Sequence, residues 1–225
     1  MINDFNFMIL KIIFQTIIYV GIVDNCLKFI IKNNSRYYLI HVLFNTWITY
    51  LVIHDSIHSI LYPLSVFNNK YENSALVSTT CISGFHLYHL ISYSNLTLED
   101  WLHHLVSAVF VAGLGIYLPF GKCPSLANLA MCGIPGGIDY FLLVLVKYNW
   151  IKKIKEKFIN KYLNLLFRWP IMFLTSYIFL INVYHMNVDT TYFLFMIIGL
   201  ALHCYNAIYY CDKVIGNYYI RKNYK

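Results

Sequence analysis

Residues Leu126–Val146 read LANLAMCGIPGGIDYFLLVLV, a run in which Asp139 is the sole charged residue. About 20 mostly apolar residues carry a helix across the hydrocarbon of a bilayer, where no water is present to satisfy backbone amides. The run therefore predicts a membrane span. Outward from it, six more stretches approach the same length: Phe7–Val23, Tyr38–Leu61, Ser74–Tyr93, Leu102–Phe120, Leu163–Tyr184 and Thr191–Tyr210. Lys11 and Gln15 interrupt the first, which makes it the weakest. Composition agrees, since 59% of the 225 residues are apolar or aromatic and 12% are charged, against roughly a quarter charged in an ordinary soluble domain. A soluble fold of this size could not bury that surface. The expected fold is all-α, a multispanning transmembrane bundle of about seven helices without a soluble domain. Residues 1–37 hold the first span and its loop, 38–212 the main bundle, and 213–225 a basic tail.

Basic residues are retained on the cytoplasmic side during insertion. With the N-terminus outside, the cytoplasmic segments hold Lys28, Lys32 and Arg36, then Lys147, Lys152, Lys153, Lys155, Lys157 and Lys161, then Lys213, Arg221, Lys222 and Lys225. The opposite loops hold Lys70 and Lys122, and Lys11 and Arg168 fall within spans. This bias predicts an odd number of spans, a cytoplasmic C-terminus and a multi-pass protein. The first span is expected to stay in place, because no short apolar segment with a small-residue cleavage site precedes it. A pI near 9.0 would suit nucleic acid, but the charge lies beside membrane spans, where anionic headgroups are the nearer partner. No nucleic-acid partner is expected. The six cysteines are scattered without a CxxC pair, which predicts packed thiols. The stretch from Asn149 to Asn164, with Ile151, Ile154, Phe158 and Leu165 at helical spacing, is readable as an amphipathic helix on the cytoplasmic surface or as a solvated loop.

Ionisable side chains inside a bilayer are costly and default to functional candidates. His54 and His58 lie four apart on the second span with Asp55 beside them, His86 and His89 three apart on the third, and His103-His104 open the fourth. Spacings of three and four place each pair on one helical face. The rings of the adjacent pair diverge by about 100°, so one is expected to enter the bundle and the other to meet a neighbouring helix or the interface. A lone histidine in a helix bundle usually serves as an interhelical hydrogen-bonding group. Six on three consecutive spans give the site reading comparable weight. Asp139, deep in the fifth span, needs a partner. Arg168 either joins the site or snorkels to the headgroups. Asp24, Glu99, Asp100 and Asp189 lie at span ends and read as solvated or capping residues, and Glu99-Asp100 suits the positive end of a helix starting there.

The order of these residues resembles a known family. Leu98-Glu99-Asp100-Trp101-Leu102-His103-His104 is similar to the D-x-x-H-H centre of the TLC-domain proteins, multispanning lipid-related proteins that include ceramide synthases and translocating-chain-associated proteins. Asn45-Thr46-Trp47 to His54 resembles the family's second-span pattern. Gly84-Phe85-His86-Leu87-Tyr88-His89-Leu90-Ile91 resembles its G-Y-F-x-Y-D-L-I segment, with His89 at the usual aspartate. Asp139-Tyr140-Phe141-Leu142 with Asn149-Trp150 is similar to the ceramide-synthase segment S-D-Y-L-L-E followed by N-Y, and Phe167-Arg168 to its F-x-x-R. Gly136 and Leu143 stand where that segment has further acidic residues.

The resemblance implies acyl transfer from acyl-coenzyme A to an amine such as a sphingoid base, in an endoplasmic-reticulum-like membrane. His103 and His104 would act as base or nucleophile, a role suited to an imidazole with a pKa near neutrality. Asp139 would orient an imidazole, and His54, His58, His86, His89 and Arg168 would contact substrate. The loop from Lys152 to Lys157 would attract the phosphates of the donor. Two other readings stay open. The bundle could bind, sense or move lipids or assist insertion without making bonds, a reading the missing acidic residues favour. Alternatively, the histidines could ligate a di-iron site of the hydroxylase type. The H-x-x-H-H clusters of such enzymes are absent from the chain, so no metal and no cofactor is expected.

Overall fold

A computed structural model of the chain describes residues 2–31, 35–67, 73–93, 96–118, 120–185 and 189–223. Among the described residues the helical segments join into seven helices, the fifth interrupted by a turn at Cys132-Gly133. They are α1 (Ile2–Ile30), α2 (Arg36–Leu61), α3 (Asn73–Ser92), α4 (98–117), α5 (Cys123–Lys147), α6 (Lys153–His185) and α7 (Thr190–Asn223). The seven predicted stretches fall on them in order. Within α1, Asp4–Ile30 is long and apolar enough to cross a membrane, and so are α5, α6 and α7. The other three helices carry more polar side chains, and α2 and α3 bury many of theirs.

The bundle is apolar outside and polar inside. Phe7, Phe14, Tyr19, Leu166, Phe173, Leu194 and Ile198 are exposed, whereas Asn45, Ser78, Thr79, Thr80, Ser83 and Asn182 are buried. Lipid tails give apolar surfaces no reason to pair, so helices in a bilayer associate through close packing and interhelical hydrogen bonds. Both devices are present. Asn128 donates to the Ser78 and Thr79 hydroxyls at 3.1 and 3.0 Å, joining α5 to α3. Gly84 lets α3 approach α1 so closely that an added Cβ would stand 3.1 Å from the Ile13 carbonyl oxygen. Aliphatic packing supplies the rest. Ile48 and Val52 of α2, Phe85 of α3 and Leu129 of α5 form one core, with Phe44 stacked on Phe85 at 3.8 Å. Leu126, Ile178 and Met196 centre a second core between α5, α6 and α7.

Polar ties at the helix ends alternate the helix directions. At one end Arg36 pairs with Asp24 at 3.0 Å, Lys213 pairs with Glu99, and Asn160 donates to Asp139 at 2.6 Å. At the other end Ser74 donates to Asp55, Lys122 stands 3.7 Å from Asp55, and Asn182 donates to the Pro63 carbonyl at 2.6 Å. The ends of α2, α5 and α7 bearing Arg36, Lys147 and Lys213 thus gather at the first end.

Several expectations need correction. Asp24 is neither solvated nor a cap; it is buried, and Tyr88 donates to it at 2.6 Å in addition to the Arg36 pair. Glu99 is held by Lys213 and by the Tyr209 hydroxyl at 3.0 Å, and the hydrogen bond from Lys213 keeps its carboxyl below the usual range. Asp100 does cap: α4 starts at Leu98 behind a reciprocal Thr97–Asp100 capping box. Asp189 accepts from the Thr191 amide at 2.7 Å at the start of α7. The segment before the sixth span is no separate surface helix, since α6 runs unbroken from Lys153 to His185. Its Glu156, Asn160 and Asn164 face inward, and Phe158 and Leu165 face out. Similarly, α7 continues through the basic tail to Asn223, and α1 packs on α3 as part of the bundle.

Candidate functional site

A cavity of about 360 Å³ opens between α2, α3, α4, α5, α6 and α7. Its lining changes character along its length. Leu114, Phe120, Phe179 and Leu200 line the far part, and His86, Asp100, His103, His104, Asp139 and Arg168 line the part toward the basic end.

The adjacent histidines of α4 diverge as their 100° separation demands, and each finds a different helix. His104 is buried and meets α3, with its Nδ1 2.6 Å from His86 Nδ1. His103 turns toward α7, where its ring centre lies 4.9 Å from Tyr210 and Asn206 also lines the cavity. Both line the cavity. Directly after them α4 widens into a π-helical stretch, Val106–Val111. Such wide turns are rare inside helices and recur at functional sites.

His89 sits behind this group rather than in it. Fully buried, it stacks on His104 at 5.2 Å on one side and on His41 at 4.6 Å on the other. His41 in turn stacks on Tyr140 at 3.9 Å, with its Nδ1 2.8 Å from the Tyr37 carbonyl oxygen. A continuous pile of rings thus joins α5, α2, α3 and α4. Neither side-chain nitrogen of His89 has a geometric hydrogen-bond partner, and ring contacts hold it, the edge-on contact with Phe85 at 4.3 Å among them.

The opposite wall is an amide-linked network. Asn160 donates to Asp139 Oδ1 at 2.6 Å, Asn164 donates to Asn160 Oδ1 at 2.9 Å, and Arg168 Nη1 donates to Asn164 Oδ1 at 2.8 Å. Arg168 Nε also donates to the Ala130 carbonyl at 3.3 Å. Glu156, Asn160, Asn164 and Arg168 recur every four residues on α6. At 3.6 residues per turn such a stripe drifts about 40° per step. The π-helical stretch Asn164–Arg168 widens the last turn, which counters the drift and brings Arg168 to the cavity. Arg168 is therefore buried and does not snorkel. Asp139 is bonded by an amide, not by an imidazole.

His54 and His58 do not join the cavity. The His54 side chain is 91% exposed, 3.8 Å from Asp55, and His58 is half-buried against Tyr62. The cause is the rise of α2: His41 and His54 are separated by about 20 Å at 1.5 Å per residue, which puts the His54 pair at the far end of the bundle. The six-histidine set of a di-iron site is consequently not assembled. His86, His103 and His104 instead present ring nitrogens that all lie within 4.8 Å of one another. Sequence reasoning missed His41, Tyr140 and the Glu156–Arg168 stripe. A signal existed for each: His41 lies one turn into α2 beside the basic Arg36, and the stripe has a constant spacing of four.

No protein-family model, no curated protein and no solved structure matches the chain.

Proposed function

We propose that this is a multi-pass membrane protein of lipid metabolism that transfers an acyl group from acyl-coenzyme A to a sphingoid-type amine, in the manner its resemblance to TLC-domain proteins implies. The observation that carries this reading is the His86–His104 contact at 2.6 Å at the polar part of a cavity whose far part is apolar. An amphipathic substrate fits such a gradient, with its chain among Leu114, Phe120 and Phe179 and its reacting group beside the imidazoles.

Two Nδ1 atoms at hydrogen-bond distance can hold one proton between them, so one ring accepts and is neutral. In the proposed step the amine nitrogen attacks the thioester carbon, the C–N bond forms, and the C–S bond breaks. A neutral imidazole of His103 or His104 takes the proton lost by the amine and returns it to the departing thiolate. Arg168, which lines the polar part of the cavity, binds an oxygen of the substrate headgroup. Asp139 belongs to the Arg168 wall and orients that residue rather than an imidazole.

A non-catalytic lipid carrier or sensor is the second reading, favoured by one contact. A side chain at Gly136, the position of an acidic residue in the ceramide-synthase pattern, would put its Cβ 2.8 Å from Asn45 Nδ2. Asn45 thus takes the space of the missing carboxylate. Incubating the protein in lipid nanodiscs with acyl-coenzyme A and a panel of long-chain amines separates the two readings. Amide product and free coenzyme A in equal amounts support transfer, and co-purified lipid without turnover sinks it.

The basic end of the bundle faces the cytoplasm in this proposal, in an endoplasmic-reticulum-like membrane. A C-terminal tag should bind antibody after selective plasma-membrane permeabilisation, and an N-terminal tag should not. Equal labelling of both tags would overturn the orientation.

A further inference from the structure

We propose that His86, His103 and His104 form a binding site for one divalent transition-metal ion of the zinc class. The ring centres of the three side chains make a nearly equilateral triangle, with sides of 4.9, 5.4 and 5.5 Å. A triangle of that size has a central point about 3 Å from each ring centre, where an ion bound at about 2.0–2.1 Å to a ring nitrogen belongs. The nitrogens themselves lie within 4.8 Å of one another. Four-coordinate geometry wants ligand nitrogens about 3.3 Å apart, so the 2.6 Å His86–His104 contact relaxes outward by less than 1 Å when an ion enters.

The surroundings also suit a cation. Neutral imidazoles are good ligands for zinc, copper, nickel and iron. Asn206 on α7 lines the same cavity as His103, and a side-chain amide there can orient a ligating ring as an outer contact. Asp100 lines the same cavity one turn earlier on α4 and supplies negative charge. The fourth position faces the cavity, open to water or to a lipid oxygen, the arrangement of a reactive rather than a purely structural site. The ion uses the ring lone pairs that amine deprotonation requires, so metal occupancy and acyl transfer exclude each other at this trio. The site itself does not depend on the acyl-transfer reading.

Co²⁺ added to chelator-treated, full-length protein in nanodiscs tests the site directly. One equivalent should produce the visible absorption of four-coordinate Co²⁺, and Zn²⁺ should abolish it. His86→Ala and His104→Ala should each weaken binding by more than about 100-fold, beyond the roughly 10–100-fold loss typical of removing an outer contact alone. The double variant His54→Ala, His58→Ala should bind like the wild type. Zn²⁺ should also raise the melting temperature of the wild type, a readout that needs no variant. Absence of stoichiometric Co²⁺ binding by the wild type overturns the proposal, as does binding that survives the trio substitutions and is lost in the His54, His58 variant. Absence of acyl transfer by the metal-free protein, in preparations that bind Co²⁺ when it is added, overturns only the transferase reading.

Discussion

Replacing both His103 and His104 by alanine should lower acyl transfer by 10²–10⁴-fold while leaving the protein folded and inserted. General-base catalysis contributes a factor of that size, and a nucleophile contributes more. The two rings share His86, and beyond it His104 meets His89 and His103 meets Tyr210. Their loss opens space beside a cavity that already exists, so packing should suffer less than chemistry. Initial rates with saturating acyl-coenzyme A, set against the elution profile and melting temperature of the same preparation, separate the two effects. Wild-type rates in the double variant would refute the catalytic assignment. Asp139→Asn should lower the rate far less than loss of the histidines, because the side-chain oxygen that accepts from Asn160 is kept and only the orientation of Arg168 is weakened.

Arg168→Leu should produce the largest loss of stability. The guanidinium is buried and donates to Asn164 and to the Ala130 carbonyl. Its removal leaves those acceptors unbonded and the Asp139 carboxylate at the end of an amide chain with no cation at the other end. Breaking a buried charge network from one side costs on the order of 3 kcal/mol. Adding Asp139→Asn to Arg168→Leu removes the stranded charge and should recover part of that loss, a non-additivity expected of residues in one network. Thermal unfolding of the single and double variants in one detergent measures it. Equal destabilisation in Arg168→Leu with and without the second substitution would show that the two charges are independent.

Hydropathy located all seven helices because the apolar stretches are separated by charges and turns. It misjudged their ends for the same reason. A window that stops at Asp24 or Lys213 marks where the side chains become polar, yet the backbone of α1 and α7 continues to Ile30 and Asn223. At the site, helical spacing marked His86, His103 and His104 as candidates and made the two adjacent rings diverge, but it paired His86 with His89 and could not show that His86 of α3 meets both rings of α4. His54 misled because its link to His58 and Asp55 is local, and local spacing says nothing about which end of the bundle a pair occupies. The polar stripe from Glu156 to Arg168 lies across the boundary drawn between loop and span, and neither half alone is periodic enough to notice. The π-helical turns in α4 and α6 left no sequence mark that distinguishes them from ordinary apolar helix.

The polarity of α2, α3 and α4 bears on how the chain is made. A helix carrying Ser78, Thr79, Thr80, Ser83 and His89 gains little by leaving the translocation channel for lipid alone, since its hydroxyls and imidazole would meet only hydrocarbon. Its companions resolve this: α1, synthesised first, offers the face on which Gly84 rests, and α5, synthesised later, brings Asn128 to the hydroxyls. The middle of the chain thus gains from company in the bilayer, and α1, apolar enough to cross it alone, is made early enough to offer the first such surface.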